Sequence, residues 1–216
     1  MTKTMPPQEM LIDYATGVVS PGVAFLLAAH LDRVDESRDF VARYEQLGGA
    51  LLRDEPISEV SDGLLASVFD RIDGGDADGV GARLDQGPLP QNVIQAVGTD
   101  FPTIPWRFLL PGVAEYEIGG FDGEKVSLLR ARPGTGVPKH THDGEELTLV
   151  LTGALQDGNI VYTAGEIAIN DEQDDHNPRI IGDQMCYCLI VMTGGVRFTG
   201  RFGRALNFFA DKHADN

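Results

Sequence analysis

Cysteine is scarce in this chain: there are two in 216 residues, Cys186 and Cys188. As i, i+2 neighbours on a strand their Cα atoms would stand about 6.6 Å apart, near the limit for an unstrained bridge. A disulfide framework is therefore excluded, and a reducing, cytoplasmic compartment is expected. Basic residues are few as well, 17 Lys and Arg against 33 Asp and Glu, for a formal net charge of −16. That balance argues against direct contact with nucleic acid or an anionic membrane and suits a basic protein partner better. Long apolar runs are missing. Runs such as Val23 to Ala29 and Met185 to Met192 are far short of a bilayer span, and the start, Met1-Thr2-Lys3-Thr4, carries no apolar leader core.

What the chain does have is apolar content of 42%, enough for one large or two small cores. Its first 73 residues hold thirteen Asp and Glu against six Lys and Arg and read as helices with short breaks. Met10, Leu11, Tyr14 and Ala15 give a first amphipathic helix ending near Gly17. Ser20-Pro21 opens a second, with the serine hydroxyl as expected cap. From Val23 onward this second helix is apolar nearly all round, so it either sits central in the bundle or presents a face to a partner. A third carries Phe40, Val41, Tyr44, Leu47, Leu51 and Leu52 and is weakened at Gly48-Gly49, where another backbone has room to approach. A fourth, capped by Ser61, carries Leu64, Leu65, Val68, Phe69 and Ile72. Leu26, Leu27, Phe40, Leu47, Leu65 and Phe69 are the expected core of this bundle.

Four glycines between Gly74 and Gly81 then break the pattern and mark a linker. The reading is two domains: an all-α helical bundle over 1–75, a linker with one short helix over 76–98, and an all-β domain over 99–216. The short helix, Pro90 to Val97, is expected to pack on the all-β domain. Strands separated by turn signals such as Asp122-Gly123, Asp157-Gly158 and Gly194-Gly195 indicate an antiparallel jelly-roll barrel.

The chemistry-bearing stretch is Gly134 to Gly153, GTGVPKHTHDGEELTLVLTG. His140 and His142 stand at i and i+2, which on a strand places both imidazoles on one face. Glu146 arrives across an Asp143-Gly144 turn, and His176 is offered by a second polar turn after Gly165-Glu166-Ile167-Ala168-Ile169. Three imidazoles and a carboxylate converging on one point form a metal site, because burying them without a cation would be costly. The spacing Gly134, His140, His142, Glu146, Gly153 resembles the first cupin motif at every fixed position. The second motif is looser, with Ala164-Gly165 where that family usually has a proline near the glycine.

Taken whole, the chain resembles the ChrR-type anti-sigma factors, in which a helical domain grips a group IV (extracytoplasmic function) sigma factor and a cupin tunes the response. The residues behind this are Met10 to Gly17, Ala28-Ala29-His30-Leu31, Leu47-Gly48-Gly49, Leu64 to Val68, Glu146 to Leu151, the pair Cys186 and Cys188, and the ending Asn207-Phe208-Phe209. The resemblance implies a sigma-factor partner masked by the apolar second helix, with Phe25, Leu26, Leu27 and His30 as the partner-binding set. It implies one divalent metal in the cupin, on His140, His142, Glu146 and His176, with zinc first and manganese, iron or nickel as the other choices. It also implies an oxidative-stress-type response. One departure stands out. The family binds a second zinc in its helical domain through an upstream His and a His-x3-Cys-x2-Cys segment. Here His30 keeps the His position, Val34 and Ser37 occupy the Cys positions, and Met5 stands for the upstream His, so no zinc is expected in this domain.

Other readings stand beside this one. Three His and one Glu also suit a cupin metalloenzyme of dioxygenase type, with no catalytic residue beyond the ligands singled out, or a ligand-sensing cupin that binds no sigma factor. Cys186 and Cys188 read either as small residues filling a barrel or as a redox pair beside the metal.

Overall fold

The computed structural model describes residues 5–74, 89–98 and 103–200. The first half of the linker and the ending Asn207-Phe208-Phe209 lie outside the described residues. Five helices come first: α1 (Gln8–Thr16), α2 (Pro21–Leu31), α3 (Asp35–Arg53), α4 (Leu64–Gly74) and α5 (Gln91–Val97). The first three pack on one another, and Leu11, Leu26, Leu27, Ala29 and Val41 are buried between them.

Three helical expectations need correction. Ser20 does not cap α2; its hydroxyl donates to Glu124 Oε1 at 2.6 Å, and Glu124 Oε2 takes the N-terminal amide of Gly22 at 2.7 Å. A carboxylate from the second half of the chain satisfies the positive end of α2 better than the local hydroxyl. α3 runs unbroken through Gly48-Gly49, and none of the described residues comes within 4 Å of a Cβ placed on either. The short helix α5 needs none: its buried Val93 and Val97 share an apolar cluster with leucines of the sheet, and Asn92 Nδ2 also ties it to α2 by donating to the Phe25 carbonyl at 2.9 Å. Lastly, Leu47, Leu65 and Phe69 are not core residues: they are 56%, 68% and 55% exposed. Among the described residues, no single helix is long and apolar enough to cross a membrane; α1 and α2 qualify together only as a pair bent by 109°, and α2 is largely buried.

Eleven strands follow among the described residues: β1 (Arg107–Leu110), β2 (Val113–Ile118), β3 (Lys125–Ala131), β4 (His140–His142), β5 (Glu146–Thr152), β6 (Ala154–Asp157), β7 (Ile160–Thr163), β8 (Ile167–Asn170), β9 (Arg179–Ile181), β10 (Cys186–Met192) and β11 (Val196–Phe198). All pairings are antiparallel. They form a six-stranded sheet in the order β1-β2-β3-β10-β5-β8, a three-stranded sheet β7-β6-β9 and the pair β11-β4, the jelly-roll plan expected from the sequence.

The two-residue period of the strands sorts their side chains between two cores. On β5 and β10, Val150, Cys186 and Cys188 turn inward and meet Leu155, Tyr162 and Ile180 of the smaller sheet. Leu147, Leu149, Leu151 and Leu189 turn the other way, with Leu128 of β3 and Ile167 of β8, and are covered by α1, α2, α3 and α5. Each such leucine contributes about 1.5–3 kcal/mol relative to exposure, so the helices and the sheet hold one another. α2 is the helix that lies on the sheet, against β5 and β10.

Candidate metal centre

The sequence Pro138-Lys139-His140 brings the chain into β4, which pairs with β11 and bridges at His140 to His176. Both backbone hydrogen bonds of that bridge are made, His140 N to His176 O at 3.0 Å and His176 N to His140 O at 2.9 Å. A tight turn at Asp143-Gly144 leads into β5, held by Asp143 N donating to the Gly195 carbonyl. Gly153 ends β5 at φ 74°, where a Cβ would stand 3.0 Å from Cys186 Cα, so the last motif glycine is required by close approach.

This framework gathers His140, His142 and His176. Their nearest nitrogens lie within 4.8 Å of one another, and all three residues are largely buried. His176 Nε2 is 3.0 Å from His140 Nε2 and 3.0 Å from His142 Nε2. Glu146 Oε2 lies 3.6 Å from His142 Nε2, and its Oε1 accepts from the Thr148 hydroxyl at 3.0 Å.

The tautomers follow from the outer partners. His140 Nδ1 faces the Pro138 carbonyl at 2.8 Å, which can only accept, so this nitrogen carries the proton. His176 Nδ1 faces Asp157 Oδ2 at 2.6 Å and donates likewise. Each neutral ring therefore aims a bare Nε2 lone pair at the centre. Two lone pairs 3.0 Å apart repel unless a proton or a cation lies between them. A cation at ~2.0–2.1 Å from each nitrogen sets neighbouring nitrogens roughly 2.8–3.4 Å apart for bond angles from a right angle to tetrahedral, and the observed spacing fits. Among the described residues, His142 Nδ1 is buried with no hydrogen-bond partner. The donor set, its spacing and its outer hydrogen bonds all fit a divalent ion.

Electrostatics agree. Burial, with the nearby His140 and His176, pushes His142 down to about 4. Burial also lowers His140. At His176 burial works in the same direction, but the hydrogen bond and charge of Asp157 outweigh it and the net shift is upward. Burial raises the Glu146 carboxyl. Low-pKa imidazoles are unprotonated near neutrality and ready to donate their lone pairs.

Asp157 was missed as a functional residue. In the sequence it is half of an Asp-Gly turn, and only the fold shows its carboxylate behind His176. The expected partner-binding set is placed differently from expectation. Leu26, Leu27 and His30 are fully buried, and Phe25 stacks on Phe121 with ring centroids 5.3 Å apart. Of the two placements that the apolar second helix left open, the central one is found, and the chain's own sheet covers the face that the resemblance implied for a partner. His30 Nδ1 meets the Gly165 carbonyl and its Nε2 meets Ser37 Oγ, each at 2.8 Å, so both ring nitrogens are engaged. Cys186 and Cys188 are buried, with sulfurs 3.6 Å apart inside the barrel.

Comparison with known proteins agrees with this architecture. Residues 95–196 match the family model described as the ChrR cupin-like domain. The anti-sigma-E factor ChrR of Cereibacter sphaeroides is 33% identical over 190 residues, covering 88% of this chain and 89% of that protein. In the crystal structure of Rhodobacter sphaeroides SigE in complex with the anti-sigma ChrR, a chain is 30% identical, with a TM-score of 0.74 over 88% of this chain and 98% of that one. The likeness runs over 88% of the chain, and the chain belongs to the ChrR family of anti-sigma factors.

Proposed function

We propose that this protein is a cytoplasmic anti-sigma factor that sequesters a group IV sigma factor with its helical half and uses its barrel as a modulating element in an oxidative-stress-type response. The observation that carries the proposal is apolar surface left uncovered on two helices by the described residues, referred to below as the apolar stripe. Leu47, Leu51 and Leu52 on α3 and Leu64, Leu65, Val68, Phe69 and Ile72 on α4 are all exposed. An exposed apolar surface of that extent marks a protein-binding site. The relatives supply the partner class, since one is an anti-sigma factor and the other is seen with its sigma factor. The net charge of −16 suits a basic partner surface.

In this reading the helical domain spans 1–75, the linker 76–98 and the cupin 99–216. His140, His142 and His176, with Glu146 closing the set, would hold one zinc ion; Asp157 and the Pro138 carbonyl orient the rings that face it. When bound, the ion supplies the charge that balances a buried carboxylate and adds stability to the folded barrel. The helical domain holds no zinc, because both nitrogens of His30 are spent on hydrogen bonds. Cys186 and Cys188, buried on the inward face of β10 with their sulfurs 3.6 Å apart, are read as small residues filling the barrel interior. Co-expression with the group IV sigma factor of the same genome tests the main claim. A stoichiometric complex that survives size exclusion supports it. Failure to form one, with the chain folded and metal-loaded, overturns it.

A further inference from the structure

The two ends of α2 are fastened to the barrel. At its N-terminus Glu124, just ahead of β3, receives the Ser20 hydroxyl and the Gly22 amide, and a Cβ at Gly22 would stand 2.8 Å from that carboxylate. At its C-terminal turn His30 is wholly buried and reaches the turn between β7 and β8. The Gly165 carbonyl can only accept, so His30 Nδ1 carries the hydrogen and the bare Nε2 accepts from the Ser37 hydroxyl at 2.8 Å. Ser37 sits in the first turn of α3 and is itself buried. One ring thus ties α2, α3 and the barrel together with no hydrogen-bonding capacity left over.

The turn that His30 grips is locked to β5. Gly165 N donates to the Val150 carbonyl at 2.8 Å, and Val150 N donates to the Glu166 carbonyl at 3.0 Å. Glu166 Oε2 in turn takes the Thr163 amide and hydroxyl at 2.6 and 2.8 Å. β5 begins with Glu146, which points to the same inward face as Val150. From the metal centre to α3 the connection is therefore Glu146, the β5 backbone, Gly165, His30 and Ser37, each step covalent or a short hydrogen bond. Because the ring is shielded from water, losing either bond leaves a buried polar atom unpaired, which favours two discrete arrangements over gradual loosening.

We propose that His30 is a latch through which the state of the barrel reaches α3, and through α3 the apolar stripe. This rests on the reading that the barrel holds a metal. The test is amide hydrogen exchange on the full chain, zinc-loaded and chelated, for the natural sequence, Ser37→Ala and His30→Asn. The two variants cut the same bond from opposite sides, and His30→Asn keeps a donor for Gly165. In the natural chain, chelation raises exchange in β4 and β5 and, about 5- to 10-fold, in the C-terminal turn of α2 and the first turns of α3. In both variants the change in α3 disappears while zinc content is unchanged. An equal α3 response in all three chains, or none in any of them, overturns the latch. If elemental analysis finds no zinc in the loaded chain, the metal reading fails by itself. The latch is then decided in the metal-free chain: Ser37→Ala must raise exchange across the Thr163–Glu166 turn of the barrel, and an unchanged turn overturns it.

Discussion

Phe69→Ala separates the two roles an apolar residue can have in the helical half. The ring is 55% exposed on α4, so its removal should change folding stability by no more than about 0.5 kcal/mol. A phenylalanine side chain offers ~150–250 Å² for burial, and about half of that, ~100 Å², is still free for a partner to cover. At ~25 cal/mol per Å² the contact contributes about 2.5 kcal/mol, or roughly 70-fold in Kd. Leu27→Ala is the counterpart. Leu27 is completely buried, so truncation should cost about 2–5 kcal/mol of stability through lost burial and the cavity left behind. Denaturant unfolding and calorimetric titration against the sigma factor would read both quantities on both variants. Expected are an unchanged midpoint with weaker binding for Phe69→Ala, and a lowered midpoint for Leu27→Ala with near-natural affinity in its folded fraction. If Phe69→Ala lowers the midpoint and leaves the affinity within threefold, the stripe belongs to the fold and its assignment as a docking surface is wrong.

Three further outcomes are expected. His140→Ala or His176→Ala should empty the barrel of metal, and Asp157→Asn should weaken metal binding about 10- to 100-fold by freeing the His176 ring, both measured by elemental analysis and competition with a chromophoric chelator. Acidification should release the metal: His176 is raised by Asp157, so protons compete with the ion as pH falls through a value above that of an ordinary imidazole, and in Asp157→Asn the fall in affinity should begin at lower pH. A native thiol titration should find Cys186 and Cys188 unreactive towards bulky reagents until the chain unfolds, since both are 1% exposed; rapid labelling in the folded state would contradict their place inside the barrel.

His140, His142 and Glu146 of the metal centre were legible because they are local, whereas His176 stands 34 residues beyond His142 and was offered only by its polar turn. A two-residue offset on a strand fixes the shared face of His140 and His142, and the Asp143-Gly144 turn fixes the return of Glu146. Asp157 was not legible, because its role depends on β6 and the residue after Pro138-Lys139 being brought beside His176 by the fold. The helices show the same limit in another form. Periodicity identified the apolar faces of α2, α3 and α4 but not what covers them. Leu26 and Leu27 were expected in the core and, through the resemblance, at a partner surface, and they are buried against β5 and β10; Leu47, Leu65 and Phe69 were expected in the same core and are exposed. Nothing in a 3.6-residue repeat distinguishes a surface buried by the same chain from one kept for another. Ser20 makes the point at a single residue, since a hydroxyl ahead of Pro21 reads as a cap and instead anchors Glu124.

β5 has no face of its own to give to water, and this constrains how such a protein can be taken apart or recombined. Expressed without its helices, the barrel would show Leu128, Leu147, Leu149, Leu151, Ile167 and Leu189 side by side, a sheet surface apt to aggregate. A fragment beginning after the linker would need polar replacements at those positions to stay in solution. The same holds for lineages that exchange one half for another. A foreign helical module would have to bring a matching apolar footprint and donors for Glu124 in place of the Ser20 hydroxyl and the Gly22 amide.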